Sequence, residues 1–479
     1  MWSFLSAGAA PKALQPDVQQ QEASAPPRTA CLSARNFLNT QYTVSVRVGN
    51  AQFWMVPDSG SFEVLVPSAS CADCRCVHSA SRCCTEGEGR GADSKTTYAE
   101  PDGGAAGREV DITFGQGTVN GRLTREAVRV GALTAANQSV FLAQRHRVQG
   151  YCEGSYDGVL GLGHRRYARD GDDDTALLST LGLNSFSICF GRHDDEPGRL
   201  VLGGGIPGLQ YRPVPVVGVR HWAVQLVGVG FGAPTAACTA GKYCGAILDS
   251  GTSLLAGPRK EVQQLLAQLN RRVEEDCSNL HELPHLTLRL GSPDAPLDVE
   301  LPPSLYVTRT PADEEGDDAP AFAASRLAAV QLARRDGAAP PEPPGAAAAN
   351  ATAAAAGGAG GRPAERCAVV FMELNMEDDR YGPVWILGMP FMRAYSALFS
   401  RAEAPAGTAD AKPALTVSLA QIPPGTNPCA GCSTARVAPA APGAVSLAAV
   451  RDDPGAPPAV SLRHARLPSW ADGAGPVRL

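Results

Sequence analysis

The chain has 479 residues and a formal net charge of −6, with an isoelectric point near 5.8. It is long enough for two medium cores, since single cores stop growing at roughly 250 to 300 residues. An acidic balance without a basic stripe excludes nucleic acid as a partner, and no window approaches the roughly 18 to 20 uninterrupted apolar residues that a membrane span needs.

Residues 1–35 are rich in Gln, Ala and Pro and show no periodicity, so they read as a disordered extension. The opening MWSFLSAGAAPKALQ has an apolar patch but no basic n-region, a poor match to a secretory leader. Beyond it, short runs rich in Val, Ile, Leu and Phe, bounded by Gly, Pro and Asp, predict strands: QYTVSVRV, EVDITFG, REAVRVG, SFSICFG, RLVLGG, HWAVQLVGVGFG, LTLRLG and ALTVSLA. Helical periodicity is clearest in PRKEVQQLLAQLNRR, which Pro258 can open. Residues 309–366 hold an acidic run and then an Ala/Gly/Pro tract that cannot bury enough apolar surface to order itself. Deleting about 312–362 is therefore expected to leave the body intact. A Pro/Ala-rich tail, also read as disordered, follows at 421–479. The expected organisation is mainly β, with an N-terminal lobe at 36–210 and a C-terminal lobe at 211–420.

There are 14 cysteines, many for a cytosolic enzyme. Cys71, Cys74, Cys76, Cys83 and Cys84 cluster, Cys238 and Cys244 span a short loop, and Cys277 and Cys367 flank the low-complexity tract. Such spacings suit disulfides that fasten loops in an oxidising compartment: the secretory pathway, a lysosome- or vacuole-like organelle, or the extracellular space. The first cluster, with His78 close by, also has a zinc-ligand spacing, but no second Cys/His pair completes it. Cys429 and Cys432 in the tail read as a loop disulfide or free thiols.

Two stretches decide the function. FWMVPDSGSFEVLVP (53–67) and GAILDSGTSLLAGP (245–258) each set one acid, Asp58 and Asp249, between an apolar run and a Gly-centred turn. Each is followed later by two apolar residues and a Gly: Gly161 in YDGVLGLG and Gly388 in PVWILGMPF. With the low-complexity tract set aside the halves are of comparable length, which argues for duplicated lobes. Gly60 and Gly251 let the backbone bend and offer N–H groups to the carboxylates, while Ser61 and Thr252 can bond the outer oxygens. Ser59 and Ser250 read as supports of their turns rather than nucleophiles: neither lies in Gly-x-Ser-x-Gly. If the lobes face each other, the two acids meet and cannot both ionise. One carboxylate can then take a proton from water while the other donates to a peptide carbonyl, with no metal or cofactor.

This arrangement resembles the pepsin-like aspartic endopeptidases over about residues 36–421, including NFLNTQYTVSVRVG, WILGMPFMRAYSALFS and FSICFGRHDDEPGRLVLGG. The resemblance implies a bilobal β fold, a catalytic pair Asp58 and Asp249, protein or peptide substrates, a monomer, and disulfides Cys71–Cys76, Cys238–Cys244 and Cys277–Cys367. It also implies a substrate-covering hairpin, ITFGQGTVNG, with Phe114 at its tip in place of the family's Tyr and Gly115 beside it as flap residues, and with Leu65 where a Trp would partner that Tyr. Phe62 replaces a small Ser, and Pro57 removes a backbone donor from a buried strand. These departures keep a second reading open, a catalytically silent member of the fold that binds peptide or protein in its cleft.

Three other motifs have plainer readings. FGQGTVNG has the wrong spacing for a phosphate loop and reads as a hairpin. RDGDDD (169–174) lacks the rest of a Ca²⁺ ligand pattern and reads as a solvated acidic loop. NQS at 137 and NAT at 350 fit the glycosylation acceptor triplet, which also arises by chance.

Overall fold

The structure, a computed structural model, describes residues 29–37, 39–71, 98–99, 109–114, 117–146, 156–164, 176–193, 196–218, 221–236, 244–269, 273–274, 276–311, 365–374, 377–378, 382–402 and 414–430. The acidic loop 169–174, Gly115, Cys74, Cys76, Cys83, Cys84, Cys238, Cys432 and most of the low-complexity tract lie outside these residues.

Alternation of branched and polar residues builds the strands. In QYTVSVRV, Val44, Val46 and Val48 are buried while Ser45 and Arg47 point outward. The first half supplies β1 (Ala30–Phe37), β2 (Gln41–Val48), β3 (Ala51–Asp58), β4 (Val64–Pro67), β5 (Glu109–Phe114), β6 (Gly117–Val130), β7 (Leu133–His146), β8 (Gly158–Gly161), β9 (Ser185–Cys189) and β10 (Gly198–Leu202). The second supplies β11 (Arg212–Pro215), β12 (Ala223–Phe231), β13 (Thr235–Ala236), β14 (Cys244–Leu248), β15 (Leu255–Pro258), β16 (Leu286–Ser292), β17 (Ala295–Leu301), β18 (Val307–Pro311), β19 (Glu365–Val369), β20 (Phe371–Leu374), β21 (Glu377–Asp378), β22 (Gly382–Leu387), β23 (Tyr395–Arg401) and β24 (Leu415–Gln421). Every run predicted as a strand contributes to one. The predicted helix forms over Arg259–Leu269, directly after Pro258, and buries Val262, Leu265, Leu266 and Leu269. Among the described residues no helix is long and apolar enough to cross a membrane.

The molecule is mainly β and bilobal, and the two halves repeat one strand pattern. In the first, β3 runs parallel to β8, β8 antiparallel to β4, and β4 parallel to β7. In the second, β14 runs parallel to β22, β22 antiparallel to β15, and β15 parallel to β20. Shared topology without a shared local sequence beyond the Asp and Gly motifs is the mark of duplication.

Three features depart from the sequence reading. First, β1 starts at Ala30, inside the segment read as an extension, and pairs with β10. Second, β23, β24 and β11, all beyond residue 210, join β9, β10 and β1 in one sheet, in the order β11-β24-β23-β9-β10-β1. The halves are therefore joined by shared backbone hydrogen bonds as well as by side-chain contact. Third, the chain past β24 is held against the body as far as Ala430. Arg192 Nη1 donates to Ile422 O at 2.9 Å, Arg199 Nη2 donates to Ala430 O, and a disulfide links Cys429 to Cys189 at the end of β9. Ile422 and Cys429 are buried with Val201 and Ile206, so these residues belong to the core and not to a free tail.

The base of the low-complexity tract is a two-stranded ribbon. Val307–Pro311 pairs with Glu365–Val369, with Arg309 opposite Cys367. Cys367 is bonded to Cys277, their Cα atoms 5.5 Å apart.

Candidate active site

Asp58 is the last residue of β3, and Asp249 follows β14 directly, so both acids leave the ends of strands that run parallel to the apolar–Gly strands β8 and β22. Leu162 N–H donates to Asp58 O at 2.8 Å, and Asp249 N–H donates to Leu387 O at 3.1 Å. A Cβ on Gly161 would lie 2.5 Å from the Phe62 carbonyl carbon, and one on Gly388 would lie 2.1 Å from Leu254 O. Only Gly permits this approach, which is why each half needs its distant Gly.

Both carboxyl groups are buried, Asp58 at 1% and Asp249 at 0% exposure. Gly60 N–H donates to Asp58 Oδ1 at 2.9 Å and Gly251 N–H to Asp249 Oδ1 at 2.8 Å. The turns also touch across the pair. A Cβ on Gly60 would sit 2.6 Å from Asp249 Oδ2, and one on Gly251 would sit 2.4 Å from Asp58 Oδ1. The two carboxyls interact directly. Burial pushes Asp249 well above the ordinary carboxylate range, and the charge of Asp58 pushes it further, against the opposing pull of Thr252 and the Gly251 N–H.

The outer partners are unequal. Thr252 Oγ1 donates to Asp249 Oδ2 at 2.7 Å. Ser61 was expected to do the same for Asp58, but among the described residues its buried hydroxyl has no hydrogen-bond partner. A Ser rotor lacks the second Cβ substituent that fixes Thr, so the same turn holds its hydroxyl less strictly.

Ser59 and Ser250 do more than support their own turns. Ser59 Oγ donates to Leu248 O at 2.8 Å, and Ser250 Oγ donates to Pro57 O at 2.7 Å. Each backbone N–H donates to the other's Oγ at 3.0 Å. This grip also accounts for Pro57. N–H and C=O of an extended residue point to the same side, and the Pro57 carbonyl points to Ser250 and away from β8. The donor that Pro lacks would have faced the grip, so the β3–β8 ladder loses nothing.

The profile of the family described as eukaryotic aspartyl protease matches residues 41–322. The chain belongs to this family. It is 29% identical to pepsin A of Sus scrofa over 290 residues, 57% of this chain and 70% of that protein. It is 26% identical to pepsin-3 of Oryctolagus cuniculus over 395 residues, 78% and 82% of the two chains. It is 25% identical to renin of Echis ocellatus over 392 residues, 78% and 81%.

In this member of the family, the hairpin expected over the cleft is formed by β5 and β6, with Phe114 paired to Gly117 at its end. Leu65 is buried on β4 with Phe141 and Val119, and Ile112 and Leu123 pack against them, so it supports the hairpin from below. Phe62 is half-buried, with its ring 5.1 Å from that of His221, and it fits because a Cβ on Gly163 would meet the ring at 2.7 Å. Cys71 and Cys244 are each half of a disulfide whose other half lies outside the described residues, and so is Cys31.

Sequence reasoning missed a second linkage between the acids. Leu162, whose N–H bonds Asp58, accepts at its carbonyl from Trp222 Nε1 at 3.0 Å, and Trp222 O accepts from Leu248 N–H, next to Asp249, at 3.1 Å. His164 Nε2 donates to His221 O at 2.9 Å, with its ring edge-on to Trp222. The only local hint is position: His164 ends the stretch that starts with YDGVLGLG, and His221 and Trp222 lead into β12.

Proposed function

We propose that the protein is an active aspartic endopeptidase. The observation that carries this reading is the contact between two buried carboxyls, each held by its own Gly N–H and backed by the opposite Gly. In the reactive form the pair holds one proton, on Asp249. Asp58 takes a proton from a water molecule as its oxygen attacks the peptide carbonyl carbon, and Asp249 gives its proton to the carbonyl oxygen. As the tetrahedral diol collapses, Asp58 gives the proton it took from water to the nitrogen, a diol hydroxyl returns a proton to Asp249, and the C–N bond breaks, leaving acid, amine and the starting dyad. The turns supply rigid positioning, and no step requires a metal or cofactor. Substrates are proteins or peptides with apolar residues flanking the cut, bound under the hairpin that ends at Phe114. The enzyme acts as a monomer in an oxidising compartment of the secretory pathway, a lysosome- or vacuole-like organelle, or outside the cell, where the Cys189–Cys429 and Cys277–Cys367 bonds persist.

One observation favours the silent reading: the Ser61 hydroxyl does not bond Asp58. Hydrolysis of an acid-denatured protein separates the two. Cleavage in acid that is lost in Asp249→Asn, and blocked by a peptide with a tetrahedral hydroxyl in place of the scissile bond, supports the enzyme. Binding of that peptide without cleavage by the wild type supports the silent fold.

A further inference from the structure

The sequence holds two Asn-x-Ser/Thr triplets, at Asn137 and Asn350, and only the first lies among the described residues. Asn137 is on β7, a strand that carries none of the active-site groups. In the β6–β7 ladder Glu126 faces Gln138 and Val128 faces Ala135, so Ala127 alone stands opposite Ala136 and Asn137. This is a β-bulge, and it breaks the in–out alternation of the strand. Ala135 is buried, Ala136 and Asn137 are both exposed, and Gln138 is buried again at 1% exposure.

The bulge separates two neighbouring amides by role. Gln138 points inward, where its Oε1 accepts from Thr180 Oγ1 and its Nε2 donates to Ser139 O at 3.1 Å. Asn137 points outward. Its backbone carbonyl accepts from Arg125 Nη1 at 3.3 Å, while its carboxamide has no hydrogen-bond partner among the described residues. A large substituent on Asn137 Nδ2 would therefore project into solvent and break no native hydrogen bond. Without the bulge, strict alternation from buried Ala135 would turn position 137 inward and close the site.

We propose that Asn137 is an N-glycosylation site. The co-substrate is an oligosaccharide carried on a lipid diphosphate. Asn137 Nδ2 forms a bond to the anomeric carbon of the first sugar, the bond from that carbon to phosphate breaks, the lipid diphosphate leaves, and Nδ2 gives up one proton; nothing is oxidised or reduced. Ser139 completes the acceptor triplet. The inference rests on the compartment proposed above and is independent of proteolytic activity.

The test is made on the full chain, directed into the secretory pathway of a eukaryotic host by a cleavable leader, so that routing is not in question. Intact mass and peptide mapping before and after an amidase that removes N-glycans, leaving Asp at the attachment point, are expected to find a glycan on the peptide holding residue 137. Asn137→Gln and Ser139→Ala are each expected to lose it, whereas Asn350→Gln keeps it. Asn137→Gln should melt within a degree or so of the deglycosylated wild type, since an exposed side chain contributes little to stability. Secreted, disulfide-bonded protein with an unmodified 137 peptide would overturn the proposal, as would a glycan confined to Asn350. Glycosylated protein without peptidase activity would overturn the enzyme reading and leave this one standing.

Discussion

Ser59 and Ser250 exchange hydrogen bonds in both directions, each backbone N–H donating to the other's hydroxyl oxygen at 3.0 Å, one residue beyond the two acids. The spacing of the carboxyls is thus set by their own neighbours. Ser59→Ala or Ser250→Ala leaves a buried N–H and a buried carbonyl unmatched and should cost about 1–3 kcal/mol of stability. The double variant should cost clearly less than the sum, because both changes break one unit. Additive losses in denaturant unfolding would show that the residues act separately.

Gly251→Ala tests the close approach of the turns. Its methyl carbon would fall 2.4 Å from Asp58 Oδ1. The carboxyl must yield, and a displacement on the order of 1 Å costs about a hundredfold in rate. The expected result is a folded protein with kcat lowered by that order, and near wild-type turnover would contradict the geometry.

Asp249 links the site to stability. Its pKa is raised from 3.8 on folding, so between these values the native state holds a proton that the unfolded chain has released. By that sign, this group makes the protein most stable in acid and less stable as pH rises through the window, by up to about 1.4 kcal/mol per pH unit. Asp249→Asn cannot ionise, and its melting temperature should gain on the wild type as pH climbs above about 4. A constant difference between the two across pH would refute this.

His164→Phe keeps a ring against Trp222 but removes the donor to His221 O. The carbonyl keeps its other donor, Ala223 N–H at 2.8 Å, so losing this one hydrogen bond costs about 0.5–1.5 kcal/mol. If the link also fixes the acids, kcat should fall while KM holds, and His164→Gln, which retains an N–H, should recover part of the loss. Equal kcat in all three proteins would assign His164 a packing role alone.

The ribbon under the low-complexity tract predicts a tolerant site. Pro311 pairs with Glu365, so replacing residues 312–364 by Asn-Gly would close a two-residue hairpin. Cooperative unfolding and peptide cleavage should survive, and loss of the single unfolding transition would count against the expectation.

Legibility in the sequence followed the range of the interaction. QYTVSVRV and LTLRLG announce strands because alternation is local, and the two Asp-Ser-Gly turns stand out because backbone bends need Gly within a few residues. The Gly60 and Gly251 contacts to their own acids were equally readable. Ser59 reaching Leu248, Trp222 bonding Leu162 and Cys189 meeting Cys429 were not, since nothing near either partner marks a contact made across most of a lobe. Ser61 shows a further limit: a motif fixes which atoms could bond, and rotamer and packing decide whether they do.

The sheet shared between the halves has a consequence for biosynthesis. On the side away from β10, β9 has β23 as its neighbour, and β23 begins only at Tyr395. While the ribosome is still producing the second half, Ser185–Cys189 therefore offers an unpaired strand edge, open to any other extended peptide. A prematurely terminated chain keeps that edge and is aggregation-prone, however well its first half is formed. Cys189 also waits for Cys429, so within the 189–429 pair its thiol stays unoxidised until residue 429 has been synthesised, and its reactivity distinguishes a chain that carries Cys429 from one that stops before it.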